Sequence, residues 1–187
     1  MVFFNIYPKS VDKEKETFPD DNTVSQIFKL TYVAMTSVIP STTLKEEDFK
    51  LWHENFQRRI KSGTIYILIF DENVLKGYLA YRLHFESDCI CIEDLIINPK
   101  YQGDGITIAR LLCCFFMEIE NLNLSNIYTY TSKLNKKMQG ILSKVGFSIY
   151  EYTDKGIKYT VTKEYLINKY AKLISYFCKK NNDSLKQ

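Results

Sequence analysis

Two periods of apolar residues alternate along this chain, and the switches between them divide it into elements. Residues 2–7, Val-Phe-Phe-Asn-Ile-Tyr, predict a short strand. Residues 9–22 are polar and charged and predict a surface loop punctuated by Pro19-Asp20-Asp21-Asn22. From Thr23 the apolar residues Ile27, Leu30, Ala34 and Val38 recur at helical spacing, with Thr23 or Ser25 as cap and Pro40 as stop. A second cap lies at Ser41 to Thr43, and Phe49, Trp52, Phe56 and Ile60 mark one face of a second helix ending near Gly63.

The period then shortens. Residues 64–70, 74–85 and 89–98 predict strands, with turns at 71–73 and 86–88, which makes an antiparallel meander. After a glycine-bearing loop at 101–107, Ile108, Leu111, Leu112, Phe115, Phe116 and Ile119 predict a long helix to about Asn121. Residues 126–131 predict a strand. Asn135 opens a short helix that Gly146 stops, and residues 147–152 and 157–162 form a hairpin. The last helix carries Leu166, Tyr170, Leu173, Ile174 and Phe177 on one stripe. The order β-α-α-β-β-β-α-β-α-β-β-α predicts a mixed α/β sheet flanked by helices, in one domain over residues 1–187.

Composition narrows the chemistry. At 187 residues, 45% hydrophobic and 25% charged, the chain suits one folded domain. Its apolar runs fall short of the roughly 18 residues a membrane span needs, so no membrane partner is expected. No signal peptide or lipidation motif is read at either end. Five cysteines, at 89, 91, 113, 114 and 178, lie mostly in apolar stretches, which favours reduced, buried thiols and a cytoplasmic location. With only His53 and His84, neither a histidine-based triad nor a metal site is expected. Of the net charge of +3, residues 163–187 carry +4, on an amphipathic basic helix placed at 163–180. The body of the chain is therefore no general polyanion binder, and the tail is read as a solvated helix face.

The segment Asn98-Pro99-Lys100-Tyr101-Gln102-Gly103-Asp104-Gly105-Ile106-Thr107 joins a strand to the long helix. Two glycines one residue apart permit a tight turn and close ligand approach. The N–H groups from Gly103 to Thr107 then sit at the positive end of the helix, an arrangement that binds phosphate. The segment is not a Walker A loop, and Ile108 breaks the dinucleotide fingerprint at its third glycine.

Gln102-Gly103-Asp104-Gly105-Ile106-Thr107 resembles the pyrophosphate loop, Gln/Arg-x-x-Gly-x-Gly/Ala, of the GNAT superfamily of acetyl-CoA-dependent N-acetyltransferases. Thr107 departs from the usual small last residue. Asn135, opening a helix that ends in Gly146-Phe147, resembles a second element of that family. The resemblance covers about residues 64–162.

The resemblance implies a V-shaped splay between two central parallel strands, Cys89–Asn98 and Asn126–Thr131, that admits acetyl-CoA as co-substrate. It implies that the pantetheine arm pairs with the backbone of Leu95, Ile96 and Ile97, with a backbone N–H near Ile96 as oxyanion donor. The pyrophosphate would rest on Gln102, Gly103, Asp104, Gly105, Ile106, Thr107 and Ile108, and Asn135 would touch the coenzyme arm. No metal is required. The string Ile92-Glu93-Asp94-Leu95 resembles that of polyamine and glucosamine-phosphate acetyltransferases, which makes Glu93 the candidate general base. Adjacent strand residues face opposite ways, so Glu93 and Asp94 do not both face the substrate.

Many family members place a Tyr acid where this chain has Leu142. Water, a hydroxyl from Ser143, Tyr128 or Tyr130, or loss of turnover are the alternatives. The expected function is acetyl transfer to a primary amine, with glucosamine 6-phosphate or a polyamine favoured as acceptor. A protein amine, or a coenzyme A-binding regulatory module with little turnover, is the alternative. Nucleic acid is not expected as a partner, and the closing hairpin or last helix could supply a homodimer contact.

Overall fold

The computed structural model describes residues 2–8, 18–36, 45–103, 105–154 and 156–184. In chain order the elements are β1 (Val2–Tyr7), α1 (Asp21–Thr36), α2 (Lys45–Lys61), β2 (Ile65–Asp71), β3 (Val74–His84), β4 (Cys89–Ile97), α3 (Ile106–Ile119), β5 (Asn126–Thr131), α4 (Lys136–Val145), β6 (Ser148–Tyr152), β7 (Ile157–Thr162) and α5 (Lys163–Ser184). Short 3-10 turns occupy Phe85–Ser87 and Pro99–Tyr101. Among the described residues the strands form one mixed α/β sheet in the order β1-β2-β3-β4-β5-β7-β6. The β4–β5 pair is parallel, and the β1–β2, β2–β3, β5–β7 and β6–β7 pairs are antiparallel.

Two compact units make up the chain: Met1–Arg82 with Asp94–Thr107, and Leu83–Glu93 with Ile108–Gln187. In the first, β1 and β3 flank β2, whose five central residues are buried, as a strand covered on both faces requires. Helices α1 and α2 contribute Ile27, Leu30, Phe56 and Ile60 to a core shared with Tyr66, Leu68 and Tyr78. Gln26 on α1 accepts from Leu75 N–H (2.8 Å) and donates to Asn73 O (3.1 Å), which pins the helix to the β2–β3 turn.

In the second unit β5 and β7 alternate buried and more exposed residues, so only one face is sealed. Leu111, Phe115, Phe116 and Ile119 of α3 are fully buried, as are Ile127 of β5 and Leu166 of α5. Lys163 Nζ donates to the carbonyls of Ile119, Glu120 and Leu122 at the end of α3, and Lys169 Nζ to those of Lys144 and Val145 at the end of α4. Both cations sit where the helix dipole favours them.

Several boundaries differ from the sequence expectation. Helix α1 begins at Asp21, not Thr23, and its cap is Asp20, whose Oδ1 accepts from Thr23 N–H at 2.9 Å. Asp21 and Asn22, read as loop punctuation, form its first turn, because the earlier carboxylate satisfies the open N–H groups. Helix α3 starts inside the expected loop and ends two residues early, and α5 runs on to Ser184. Cys113 is buried, whereas Cys89, Cys91 and Cys114 are half-buried. The expected stop at Pro40, the cap at Ser41 to Thr43 and the side chain of Cys178 lie outside the described residues.

Candidate active site

The loop read as a phosphate cradle is built on the end of β4, within the first unit. Gly77 on β3 makes room for it: a Cβ there would stand 2.7 Å from Ile96 O, so only glycine fits. Asn98 then ties the chain down, donating from its backbone to Lys76 O (2.8 Å) and from Nδ2 to Leu75 O (3.2 Å). Its Oδ1 accepts from Lys100 N–H (3.1 Å) and so caps the turn at Pro99–Tyr101.

Gln102 closes the turn. Its N–H donates to Pro99 O (3.3 Å) and its Nε2 to Ile97 O (2.8 Å). The side chain expected to meet the coenzyme thus clamps the loop to the last residue of β4. Gly103 and Gly105 follow at φ of +105° and +68°, in the left-handed region that glycine alone adopts freely. Among the described residues nothing lies within 4 Å of a Cβ built on either, so the backbone is open to close approach. Asp104 lies outside the described residues. Helix α3 starts at Ile106, which places the N–H groups of its first turn outside the helical ladder. Ile106 is exposed and Thr107 is buried, which anchors this first turn from below.

Of the other candidates, Leu95, Ile96 and Ile97 belong to the first unit, and Glu93 and Asn135 to the second. The parallel β4–β5 ladder runs from Cys89↔Asn126 to Ile92↔Thr129 and ends there. β4 itself continues to Ile97 and β5 to Thr131, so Leu95, Ile96 and Ile97 lie past the last ladder pair. Glu93 is half-buried and falls on the less sealed face, since Ile90 and Ile92 alternate with Cys89 and Cys91 as the buried residues. Asp94, one residue on, is held elsewhere: Arg59 Nη1 of α2 stands 2.7 Å from its Oδ2.

Asn135 caps α4, with its Oδ1 accepting from Met138 N–H at 3.0 Å. That a helix opens at Asn135 is legible in the sequence; the engagement of its side-chain oxygen by that helix is seen only in the structure. At the other end Gly146, at φ +116°, donates to the carbonyls of Leu142 and Ser143. Leu142 is buried and carries no proton, whereas Ser143 is exposed. Among the described residues no cluster of three or more His, Cys, Asp or Glu could hold a metal, and no helix is long and apolar enough to cross a membrane.

Sequence reasoning missed one feature of this unit. Lys158 on β7 sits over the rings of Tyr128 (4.3 Å) and Tyr150 (4.7 Å), with Tyr130 5.8 Å away. The tyrosines read as ordinary packing residues because the β5–β7 pairing that brings Tyr128 and Tyr130 to Lys158 spans more than twenty positions. The alternation of β7 carried the only signal, a lysine between two buried residues.

Residues 24–147 match the sequence model described as "Acetyltransferase (GNAT) family". No curated protein matches the sequence. Among solved structures the fold is similar to that of the PaiA N-acetyltransferase from Thermoplasma acidophilum in complex with coenzyme A. That pair shares 12% identity over 86% of this chain and 99% of the other, at a TM-score of 0.62. The apo form of FdhC, a nucleotide-linked sugar GNAT, is similar at 16% identity over 92% and 94% of the two chains, TM-score 0.63. RimL, a ribosomal-protein alpha-N-acetyltransferase in complex with coenzyme A, is similar at 17% identity over 77% and 90%, TM-score 0.56.

Proposed function

Because this chain belongs to the acetyltransferase (GNAT) family, we propose that it moves an acetyl group from acetyl-CoA to the nitrogen of a primary amine. The amine attacks the thioester directly, and the acceptor is a small molecule of the amino-sugar-phosphate or polyamine kind. The observation that carries this reading is the end of the β4–β5 ladder at Ile92↔Thr129 while both strands run on. Backbone groups of Leu95, Ile96 and Ile97 then serve as a template for an extended ligand arm, as an added strand would use them.

The loop supports the same reading. Two left-handed glycines with open space at Cβ lead into a helix start, which suits a diphosphate. Acetyl-CoA supplies an acyl group already activated as a thioester. The chain supplies orientation and proton handling. The backbone N–H near Ile96 polarises the thioester carbonyl as charge develops on its oxygen. Glu93 takes the proton of the incoming ammonium, directly or through water. That step matters because an alkyl amine of pKa near ~10 loses its proton at pH 7 at a cost of about 4 kcal/mol. Leu142 offers no acid for the departing thiolate. Solvent suffices, since a thiol of pKa ~8.5 is a fair leaving group near neutrality.

The test follows release of free thiol from acetyl-CoA with a panel of amines, alongside calorimetric binding of coenzyme A. Amine-dependent release supports the reading. Binding of coenzyme A without turnover on any amine would favour a regulatory module instead, and absence of binding would refute both.

A further inference from the structure

Lys158 is a half-buried cation among the described residues that no carboxylate pairs with. A charge drawn away from water is costly unless something answers it. Lys163 and Lys169 are answered by helix-end carbonyls. Lys158 is answered by the faces of Tyr128 and Tyr150, with Tyr130 beside it as a hydrogen-bond partner. Burial pulls its ammonium down, but the three phenols outweigh that and hold it above the ordinary lysine value. Its cross-strand neighbour Glu151 is exposed and makes no ion pair with it.

Position gives this cation a use. Cys91 pairs with Tyr128, and Tyr128 with Thr160, on one face of the sheet. Two residues further along each strand, the same face carries Glu93, Tyr130 and Lys158, and Tyr130 is the register partner of Lys158. The candidate base therefore shares a sheet face, within one unit, with a fixed ammonium and the hydroxyls of its tyrosines. Tyr130 and Tyr150 are 54% and 58% exposed, so this patch is open to a ligand. Cys89 is a further titratable group beside it, whose thiol burial holds up, with Lys158 opposing and Asp88 reinforcing.

Resting on the acetyl-transfer reading, we propose that the acceptor is an amine that also carries an anion, phosphate or carboxylate, which Lys158 and the Tyr130 hydroxyl receive. The amine end then lies toward Glu93. A polyamine is disfavoured, because a second ammonium would meet Lys158 and its ring faces are already occupied.

Matched acceptors test this with the full chain and acetyl-CoA: glucosamine against glucosamine 6-phosphate, an amino acid against its amide, and spermidine. The phosphate pair and the carboxylate pair tell the two anions apart. One anionic acceptor is expected to exceed its neutral partner in kcat/KM by about tenfold or more. Lys158→Met is expected to raise KM for that acceptor by about tenfold while sparing the neutral partner, with Lys158→Arg restoring most of the loss. A preference for spermidine or for the neutral partners overturns the proposal, as does an equal effect of Lys158→Met on both members of a pair. Should no amine turn over, the acetyl-transfer reading fails by itself. Calorimetric binding of glucosamine 6-phosphate and glucosamine to the coenzyme A-loaded protein then decides the anion site: Lys158-dependent preference for the phosphate upholds it, and equal or absent binding overturns it.

Discussion

Arg59 on α2 places its Nη1 2.7 Å from Asp94 Oδ2 on β4, one residue beyond Glu93. The contact is an ion pair only, since among the described residues no donor reaches that buried oxygen with hydrogen-bond geometry. It sits beside a buried phenol: burial first, and the Asp94 charge second, push Tyr78 well above its usual value, while Tyr78 Oη and Thr31 Oγ1 are 2.6 Å apart. Arg59→Met would leave Asp94 half-buried without its counter-charge. A loss of about 1–3 kcal/mol is expected, read as a lower urea midpoint at unchanged slope. Adding Asp94→Asn should return part of that loss, because the stranded charge is then gone too.

Glu93→Gln tests the base. The rate of amine-dependent thiol release should fall most at lower pH, where the acceptor is most fully protonated and most needs a proton acceptor. A pH–rate profile of unaltered shape removes Glu93 from the mechanism.

Gly105→Val probes the loop. At φ +68° a side chain costs about 1–2 kcal/mol, yet among the described residues nothing within 4 Å stands in its way, so the protein is expected to fold. Coenzyme A affinity should drop by about tenfold or more. Gly140→Ala on α4, where no positive φ intervenes, should instead be stabilising by about 0.4–1 kcal/mol. Affinity that survives Gly105→Val speaks against the loop as the diphosphate site.

Asn135 has one role on view and one proposed. Asn135→Ala removes the cap of α4 and should cost about 1 kcal/mol. Asn135→Ser keeps a capping oxygen and should restore stability while coenzyme A affinity stays below that of the unaltered protein. Recovery of both together would leave Asn135 with capping alone.

Asp20 links α1 to pH. Hydrogen bonds from the Thr23 backbone and then its side chain hold this carboxyl below its ordinary 3.8. A depressed carboxyl stabilises the fold above the unfolded pKa and loses that contribution as pH falls through the folded value. Asp20→Ala should therefore cost about 1 kcal/mol at neutral pH, a gap that closes in thermal melts below pH 3.8. A gap that persists into stronger acid would assign the loss to packing instead.

Much of the fold was legible because local rules act over a few residues. Period-two and period-3.6 patterns placed every strand and helix within a few positions, and Gly146 and Asn135 mark the ends of α4 by their own conformational chemistry. Where α1 was misplaced, two signals competed within four residues, and Asp20 won over Thr23 because a carboxylate accepts more strongly than a hydroxyl.

By itself, then, the sequence determined the order of elements and the glycine loop at the mouth of α3. Tertiary structure alone decided which groups those residues meet. Asp94 is bound by Arg59, and Lys158 gathers Tyr128 and Tyr130 from β5. Helical and strand periods are written in near neighbours, but a contact between residues dozens of positions apart depends on register, and register is fixed only when the whole sheet pairs.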